Sequence, residues 1–420
     1  MPVSSACPYR EAPVCPFPAQ RYESVLEVYV RRGRCIAPAE SLRTVGPRVD
    51  LEKSRRLALA ESADGAVGID IARHGAAGLI TLQRPKARNA LDDAMRLRLT
   101  EAFPAFARDP QIYGVVMKSA LDGMFCAGGD VRELVRLARS EPDRARRSLA
   151  REYALNWLHE CFSKPTVSLI DGPVMGSGVG ITLYGTHRVA GERYRFSMPE
   201  TAIGFFPDDG VAHTFARLPH EIGLFLGLTG RAIGPADAYR LGLVTHTIPA
   251  ARFAEIEAAV VEADPIDPVL DARHEEPGTG ELERYAGIIG RCFSAPTLLE
   301  IIERLRSEPC APEWREGVLA DLAGRSPLAL AVTLAHIRRA RDLDLRQTLT
   351  VDYRLACRMI MAPDFAEGVR ARLVDKSQAP RWRPERIEDV SDAMVERMFQ
   401  PLPGAELVLP TRQEMQAARV

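Results

Sequence analysis

A glycine-rich turn followed by two acids, within residues 171–210, constrains this chain more than any other stretch. The strand-like run Pro165 to Ile170 precedes the turn Gly176-Ser177-Gly178-Val179-Gly180. Glycines let a backbone approach a ligand closely and leave N–H groups free at a helix start. Such N–H groups can stabilise a developing oxyanion. Glu200 and Asp208 follow in apolar surroundings, where burial would favour their protonated forms. The stretch therefore predicts carbonyl chemistry.

Two plainer interpretations stay open for this stretch alone. Glycine runs often form turns that bind nothing, and a run of this kind is only weak evidence for a nucleotide site. A dinucleotide site would also need a βαβ unit with a later acidic ribose ligand, and the sequence shows no such pattern.

A second glycine turn favours carbonyl chemistry. The segment Phe125-Cys126-Ala127-Gly128-Gly129-Asp130 follows the apolar run Tyr113 to Met117 and precedes a helical pattern that begins at Val131. Two strand-to-helix turns could each direct one N–H group to the same oxygen.

These segments resemble the crotonase (enoyl-CoA hydratase/isomerase) superfamily, whose members bind acyl-CoA thioesters. The resemblance runs from about Val67 to Pro249 and rests on ITLQRPKARNAL, FCAGGD, MPETAIGFFPD and LTGRAIGPADAYRLGLV. It implies an α/β fold with a crotonase-like ββα superhelix core. It also implies that the backbone N–H groups of Gly129 and Ser177 hold the thioester oxygen.

The acids place the chain within that superfamily. Enoyl-CoA hydratases carry one glutamate shortly after the glycine turn and another in the Pro-Glu element; here the first position is Gly180 and the second is Glu200. With the added Asp208, the arrangement of acids resembles that of the branch that hydrolyses 3-hydroxyisobutyryl-CoA in valine catabolism. A Glu-Tyr pair of that branch matches Glu152-Tyr153, which implies that Glu152 contacts the substrate.

The resemblance also implies where CoA lies. The turn at Arg84, Lys86 and Ala87 is expected beside the adenine and phosphates, and Ala127 is expected to line the same site. Cationic side chains suit phosphate groups, although both cations could equally be ordinary surface residues.

The C-terminal half extends the resemblance to about Pro401, because DFAEGVRARLVDK (364–376) occurs in the hydrolase branch and not in the shorter hydratases. The chain is therefore expected to comprise an N-terminal extension (1–65), a crotonase-like core (66–260), a C-terminal helical region that completes the fold (261–403) and a disordered tail (404–420). The extension is either poorly ordered or the product of a start site assigned too far upstream.

Composition limits the other partners. The chain has 420 residues, 46% of them hydrophobic, and a net charge of −1. A net charge this close to zero gives no general attraction to nucleic acid or to an anionic membrane. The eight cysteines lack metal-site spacing, and Cys126 is expected to be a buried free thiol. No apolar run reaches the ~18 residues of a membrane span, and no signal-peptide pattern opens the chain. We expect a cytoplasmic enzyme with no metal or redox cofactor.

The resulting prediction is hydrolysis of a short 3-hydroxyacyl-CoA thioester by Glu200 and Asp208, assisted by the N–H groups of Gly129 and Ser177. Glu200 would either attack the carbonyl carbon or activate water, and the sequence does not separate these routes. Two alternatives are an enoyl-CoA hydratase or isomerase and a non-catalytic protein that binds CoA, protein or RNA. Asp209 and Ser177 depart from the family pattern, so the acyl group stays open; Asp209 either lies near the site or faces solvent. A homo-oligomer is common for this fold but is not fixed here.

Overall fold

The computed structural model describes residues 68–377 and 379–420. The expected N-terminal extension, 1–65, lies outside the described residues. The strands are β1 Ile69–His74, β2 Ala77–Leu82, β3 Gly114–Ser119, β4 Thr166–Ile170, β5 Pro173–Met175, β6 His187–Ala190, β7 Arg195–Ser197 and β8 His246–Thr247.

Helices dominate the rest of the described chain. In chain order they are α1 Asp93–Arg108, α2 Val131–Ser140, α3 Pro142–Glu160, α4 Ser177–Leu183, α5 Val211–Phe215, α6 Ile222–Thr229, α7 Pro235–Arg240, α8 Phe253–Val261, α9 Ile266–Asp271, α10 Ala286–Phe293, α11 Leu298–Ser307, α12 Pro312–Ala323, α13 Pro327–Arg339, α14 Leu345–Met359, α15 Pro363–Val369, α16 Asp392–Phe399 and α17 Arg412–Ala417. The predicted α/β class is confirmed.

The larger sheet has the order β1-β2-β3-β4-β6-β8. Only β1 is antiparallel to its neighbour, and the other pairs are parallel. In register across its centre lie Leu79, Val116 and Val167, all buried. Apolar runs with both faces covered are typical of parallel strands, which explains why these segments read as continuous apolar sequence.

A smaller sheet positions the loops of interest. Strands β5 and β7 pair in parallel, and Cys126 adds a parallel bridge to Val174 of β5. The three segments therefore run in one direction, and their carboxyl ends meet at the same edge. Loops that leave this edge are brought together by the sheet.

The C-terminal helices pack onto the core. Helix α14 packs against α3, and α13 packs against α6. Ser326 caps α13, since its Oγ accepts a hydrogen bond from the N–H of Ala329 at 3.2 Å, with Pro327 at the first helical position. A serine followed by proline is typical of a helix start.

The prediction of a disordered tail is wrong. Helix α17 forms behind a capping box in which Thr411 and Glu414 satisfy each other's backbone N–H groups. Leu409 and Met415 are buried in the main core, and Trp157 Nε1 donates to the carbonyl of Pro410 at 2.8 Å. The segment is ordered because a capped helix presents its few apolar residues to the core.

Within the described ranges, no single helix is long and apolar enough to cross a membrane. The segments Pro312–Ala323 and Pro327–Asp342 pass the criteria of length and composition only as a pair, with a bend of 107° between them. In the same part of the chain, no three His, Cys, Asp or Glu side chains are placed to hold a metal ion together.

Candidate active site

The edge of the small sheet brings three predicted site residues together. Gly129 follows the Cys126 bridge, Ser177 follows β5, and Glu200 follows β7. Because these segments are parallel neighbours, the residues just beyond their carboxyl ends lie side by side. The sheet therefore explains why distant motifs meet.

The two glycine turns contact each other through their backbones. Gly128 and Gly176 have positive φ angles of 96° and 47°, where glycine avoids the strain that a Cβ would cause. A methyl group on Gly128 would lie 3.3 Å from the carbonyl oxygen of Met175, and one on Gly176 would lie 3.5 Å from Gly128 Cα. Glycine at position 128 therefore permits this close approach, whereas at position 176 glycine is favoured by its positive φ angle rather than by the contact with Gly128.

Two free backbone donors lie on these adjoining turns. No described residue accepts a hydrogen bond from the N–H of Gly129 or of Ser177. Ser177 is the first residue of α4, and the first N–H groups of a helix have no partner within it. Such donors can hold the oxygen of a thioester and stabilise the charge it acquires.

Glu200 lies beside the second turn. It begins the 3-10 helix Glu200–Ile203 and is 8% exposed. Its Oε1 is 3.0 Å from the position of a methyl group on Gly176, and its Oε2 has no partner among the described residues. Burial, with a smaller contribution from the Asp209 carboxylate, raises the pKa of Glu200 to about 8. A carboxyl with this pKa can take up or release a proton near neutral pH.

Asp208 is held by a tyrosine from α3. The hydroxyl of Tyr153 donates to its Oδ2 at 2.8 Å. Burial, followed by the Glu152 and Glu200 carboxylates, raises the pKa of Asp208 well above its ordinary value. The protonated form of Asp208 can donate a hydrogen bond, which an ionised carboxylate cannot.

Glu152 is buried in an ion pair that the sequence did not reveal. Arg96 Nη2 lies 2.8 Å from Glu152 Oε1, and Ser177 Oγ donates to the same oxygen. Although burial opposes the charge, Glu152 raises the pKa of Arg96 above its ordinary value. The sequence did hold a signal for Arg96: it shares the apolar face of α1 with Leu99 and Phe103, at the spacing i, i+3, i+7.

Asp209 is buried rather than exposed to solvent. It is 0% exposed and has a φ of 58°. Asn156 Nδ2 donates to its Oδ1 at 2.5 Å, while Oδ2 has no partner among the described residues. A methyl group on Gly180 would lie 2.8 Å from Asn156 Oδ1 and 2.9 Å from Asp209 Cγ. These two side chains therefore leave no space for a side chain at position 180.

The four residues expected at CoA lie next to the first turn. Ala127 donates its N–H to the carbonyl of Arg88 at 3.0 Å, which joins the turn to the 3-10 helix Pro85–Ala87. Arg84 is 2.9 Å from Asp130 and 3.3 Å from Asp92, whereas Lys86 is exposed. Contact of Arg84, Lys86, Ala87 and Ala127 with CoA stays a prediction, and Lys86 is the more available cation.

Cys126 lies between the two turns and is a buried free thiol, as predicted. Its Sγ donates to the carbonyl of Asn89 at 3.0 Å. Burial raises the pKa of Cys126 to about 12, so the reactive thiolate is not populated near neutral pH. Its role in this structure is packing.

Known proteins similar to this chain act on acyl-CoA compounds. Residues 77–399 match the family model described as Enoyl-CoA hydratase/isomerase. The 3-hydroxyisobutyryl-CoA hydrolase 1 of Arabidopsis thaliana is 37% identical over 353 residues, covering 81% of this chain and 93% of that protein. The mitochondrial 3-hydroxyisobutyryl-CoA hydrolase of Homo sapiens is 34% identical over 366 residues, covering 84% and 93%.

Two crystal structures share the fold over most of its length. A carnitinyl-CoA dehydratase from Mycobacterium thermoresistibile is 37% identical with a TM-score of 0.78, covering 82% of this chain and 99% of that one. An enoyl-CoA hydratase from Rhodobacter sphaeroides 2.4.1 is 36% identical with a TM-score of 0.76, covering 82% and 100%. The predicted crotonase-like fold and the predicted resemblance are confirmed.

Proposed function

We propose that this chain, which belongs to the enoyl-CoA hydratase/isomerase family, hydrolyses 3-hydroxyisobutyryl-CoA to 3-hydroxyisobutyrate and CoA. The observation that carries the proposal is the free Oε2 of buried Glu200, beside the unpaired N–H groups of Gly129 and Ser177. A thioester whose oxygen accepts from both N–H groups would place its carbon near this carboxyl. The curated hydrolases at 34–37% identity support the same substrate.

The reaction needs only water, the substrate and groups of this chain. The N–H groups of Gly129 and Ser177 stabilise the oxyanion of the tetrahedral intermediate, and one such donor is typically worth ~3 kcal/mol. The carbon–sulfur bond then breaks, and the CoA sulfur leaves and takes up a proton. No step requires a metal or a redox cofactor.

Two routes are open to Glu200. It can attack the thioester carbon to form a mixed anhydride, which water then cleaves, or it can remove a proton from attacking water. Hydroxylamine tests the first route, because its attack on the Glu200 side of a mixed anhydride leaves a hydroxamate on that side chain. Turnover-dependent hydroxamate on Glu200 would support the anhydride, whereas an acyl hydroxamate forms by either route because hydroxylamine also attacks the thioester itself.

Asp208 and Glu152 complete the proposed pocket. Protonated Asp208, held by Tyr153, would orient the substrate hydroxyl or the water. Glu152 keeps Ser177 in place through its Oγ, so it supports one of the two backbone donors. Arg96 balances the charge of Glu152.

A second candidate function is hydration of an enoyl-CoA, because the two crystal structures carry the names dehydratase and hydratase. Position 180 disfavours this candidate. A second acid there would overlap Asn156 and Asp209, so the site keeps Glu200 without that partner.

The deciding experiment follows thiol release from 3-hydroxyisobutyryl-CoA, 3-hydroxypropionyl-CoA and crotonyl-CoA, with hydration of crotonyl-CoA measured in parallel. We expect thiol release from the 3-hydroxyacyl substrates and little hydration. Glu200→Gln should lower kcat by about 10²–10⁴-fold, while the matched variant Glu303→Gln, at an exposed position of α11, should leave it unchanged. Hydration without thiol release would overturn the proposal.

The proposal extends to the CoA contacts, the cellular location and the assembly of the protein. CoA would lie along Arg84, Lys86, Ala87 and Ala127, with its phosphates near the exposed Lys86. A cytoplasmic location and assembly as a homo-oligomer stay proposals; fractionation and sedimentation measurements of the native protein test them.

A further inference from the structure

A buried side-chain pair anchors the turn that follows Asp208. Asp209 and Gly210 both have positive φ angles, 58° and 77°, so the turn needs support from its surroundings. The N–H of Gly210 donates to Oδ2 of Asp352, on α14, at 2.6 Å. The other oxygen, Oδ1, lies 2.5 Å from Nε2 of His336, on α13. Two C-terminal helices are thereby tied to the backbone next to Asp208.

The pair is satisfied but sealed from solvent. Asp352 is 0% and His336 is 1% exposed. A buried carboxylate is destabilising unless donors satisfy its oxygens, and here each oxygen has one. The tautomer of His336 with its hydrogen on Nε2 donates that hydrogen to Oδ1 of Asp352. Nδ1 has no partner among the described residues, so the imidazole makes this single hydrogen bond.

The same pair contacts the chain on both sides of Asp208, at Phe206 and at Gly210. The His336 ring packs edge-on against Phe206, with centroids 5.6 Å apart, while Asp352 holds Gly210. A shift of the His336 or the Asp352 side chain would therefore move the backbone that carries Asp208. Both residues are more deeply buried than Glu200 and Asp208, which keep 8% and 7% of their surface exposed.

We propose that His336 and Asp352 are positioning residues for thioester hydrolysis: His336 orients Asp352, and Asp352 fixes the Gly210 N–H so that Asp208 stays beside Glu200. This inference rests on the proposed function, in which Asp208 orients the substrate hydroxyl or water. A misplacement of about 1 Å in such a group can lower a rate about 10²-fold.

The pair also influences Asp208 through its charge. The titratable groups that act on Asp208 are Glu152 and Tyr153 from α3, Glu200 from its 3-10 helix, Asp352 from α14 and the adjacent Asp209. Burial contributes most to the raised pKa of Asp208, and the Asp352 carboxylate adds a smaller part. Removing that charge would lower the pKa of Asp208, so its ionisation would move to lower pH.

The first test compares His336→Gln with His336→Leu. Gln keeps an N–H donor near the position of Nε2, whereas Leu fills the space without a donor. With 3-hydroxyisobutyryl-CoA, we expect Leu to lower kcat about tenfold or more with little change in KM, and Gln to retain most of the activity. Equal losses in the two variants, or full activity of the Leu variant, would overturn the inference.

The second test does not depend on activity. Asp352→Asn should accelerate amide hydrogen exchange in the peptide that contains Gly210 and move the Asp208 limb of the pH–rate profile to lower pH. The matched control is Asp237→Asn, because Asp237 is also buried and accepts the N–H groups of Glu281 and Leu282 at 3.1 and 3.0 Å. It should accelerate exchange only at 281–282.

The two proposals fail in different ways. Wild-type protein that releases no thiol would overturn the hydrolase assignment, and the exchange result alone would then decide whether the pair anchors the turn. Wild-type hydrolysis combined with unchanged exchange in Asp352→Asn would overturn the positioning role and leave the hydrolase assignment standing.

Discussion

Oε1 of Glu200 lies 3.0 Å from the position that a methyl group on Gly176 would occupy. The turn that offers the Ser177 N–H and the carboxyl proposed to act on the thioester are therefore in direct contact. A methyl group at position 176 would press on Oε1, and the Glu200 carboxyl would have to shift by a few tenths of an ångström.

Gly176→Ala tests this contact. The backbone angles of Gly176, φ 47° and ψ −127°, are sparsely populated by residues with a Cβ and should reduce stability by about 1–3 kcal/mol, and displacement of Glu200 should lower kcat/KM about tenfold or more. Gly278→Ala is the control, because Gly278 has a φ of 75° with nothing within 4 Å of its added methyl group. Urea denaturation and thiol release measure both effects; a Gly176→Ala enzyme as active as the Gly278→Ala enzyme would contradict the contact.

The pH dependence of hydrolysis should report Glu200. In either route the free enzyme needs an ionised Glu200, and its pKa is about 8. We therefore expect kcat/KM to rise as pH increases through about 8. The rate of thioester hydrolysis without enzyme is subtracted at each pH. A profile that is flat from pH 6 to 9 would argue against this carboxyl as base or nucleophile.

Stability should depend on pH in the opposite sense. Burial raises the pKa of Glu200 from 4.5 to about 8, so its contribution to folding is fully present below pH 4.5 and is lost as pH rises through 8. Glu200→Gln stays uncharged at every pH. The melting temperature of the variant minus that of the wild type should therefore increase from pH 5 to pH 9, and calorimetry can measure this difference. A constant difference would show that Glu200 ionises normally in the folded protein.

The space at Gly180 should couple to Asp209. Gly180→Ala introduces a methyl group 2.9 Å from Asp209 Cγ, and such overpacking typically costs about 1–3 kcal/mol. Asp209→Gly suits the φ of 58° and removes one of the two crowding side chains, leaving Asn156 Oδ1 2.8 Å from that methyl group. In a double-mutant cycle followed by urea denaturation, Gly180→Ala should destabilise the Asp209→Gly background less, with a coupling of about 1 kcal/mol. Additive losses would contradict the steric account.

The ion pair between Arg96 and Glu152 should be a strong determinant of stability. Arg96→Met leaves Glu152 buried without its cation, which typically costs about 3–5 kcal/mol. Adding Glu152→Gln removes the unpaired charge and should recover part of that loss. Arg73→Met is the control, since its pair with Asp109 is exposed at 3.5 Å and should change stability by less than about 1 kcal/mol.

The sequence by itself determined the local parts of the site. The glycines at 128 and 176 mark turns because only residues without a Cβ adopt these conformations without strain. Ser326-Pro327 marks a helix start, and apolar runs mark the parallel strands. In each case the physical cause lies within a few consecutive residues, so a local pattern was enough to predict it. The tail is the exception, because its short capped helix is held by the burial of Leu409 and Met415 in the core.

Tertiary structure decided which groups meet and how they ionise. Arg96 pairs with Glu152 across 56 positions, and Gly210 pairs with Asp352 across 142. No local spacing encodes such distances. The pKa of Glu200 likewise depends on burial by segments far along the chain. Desolvation and Coulomb interactions act through space, so they exist only once the chain has folded.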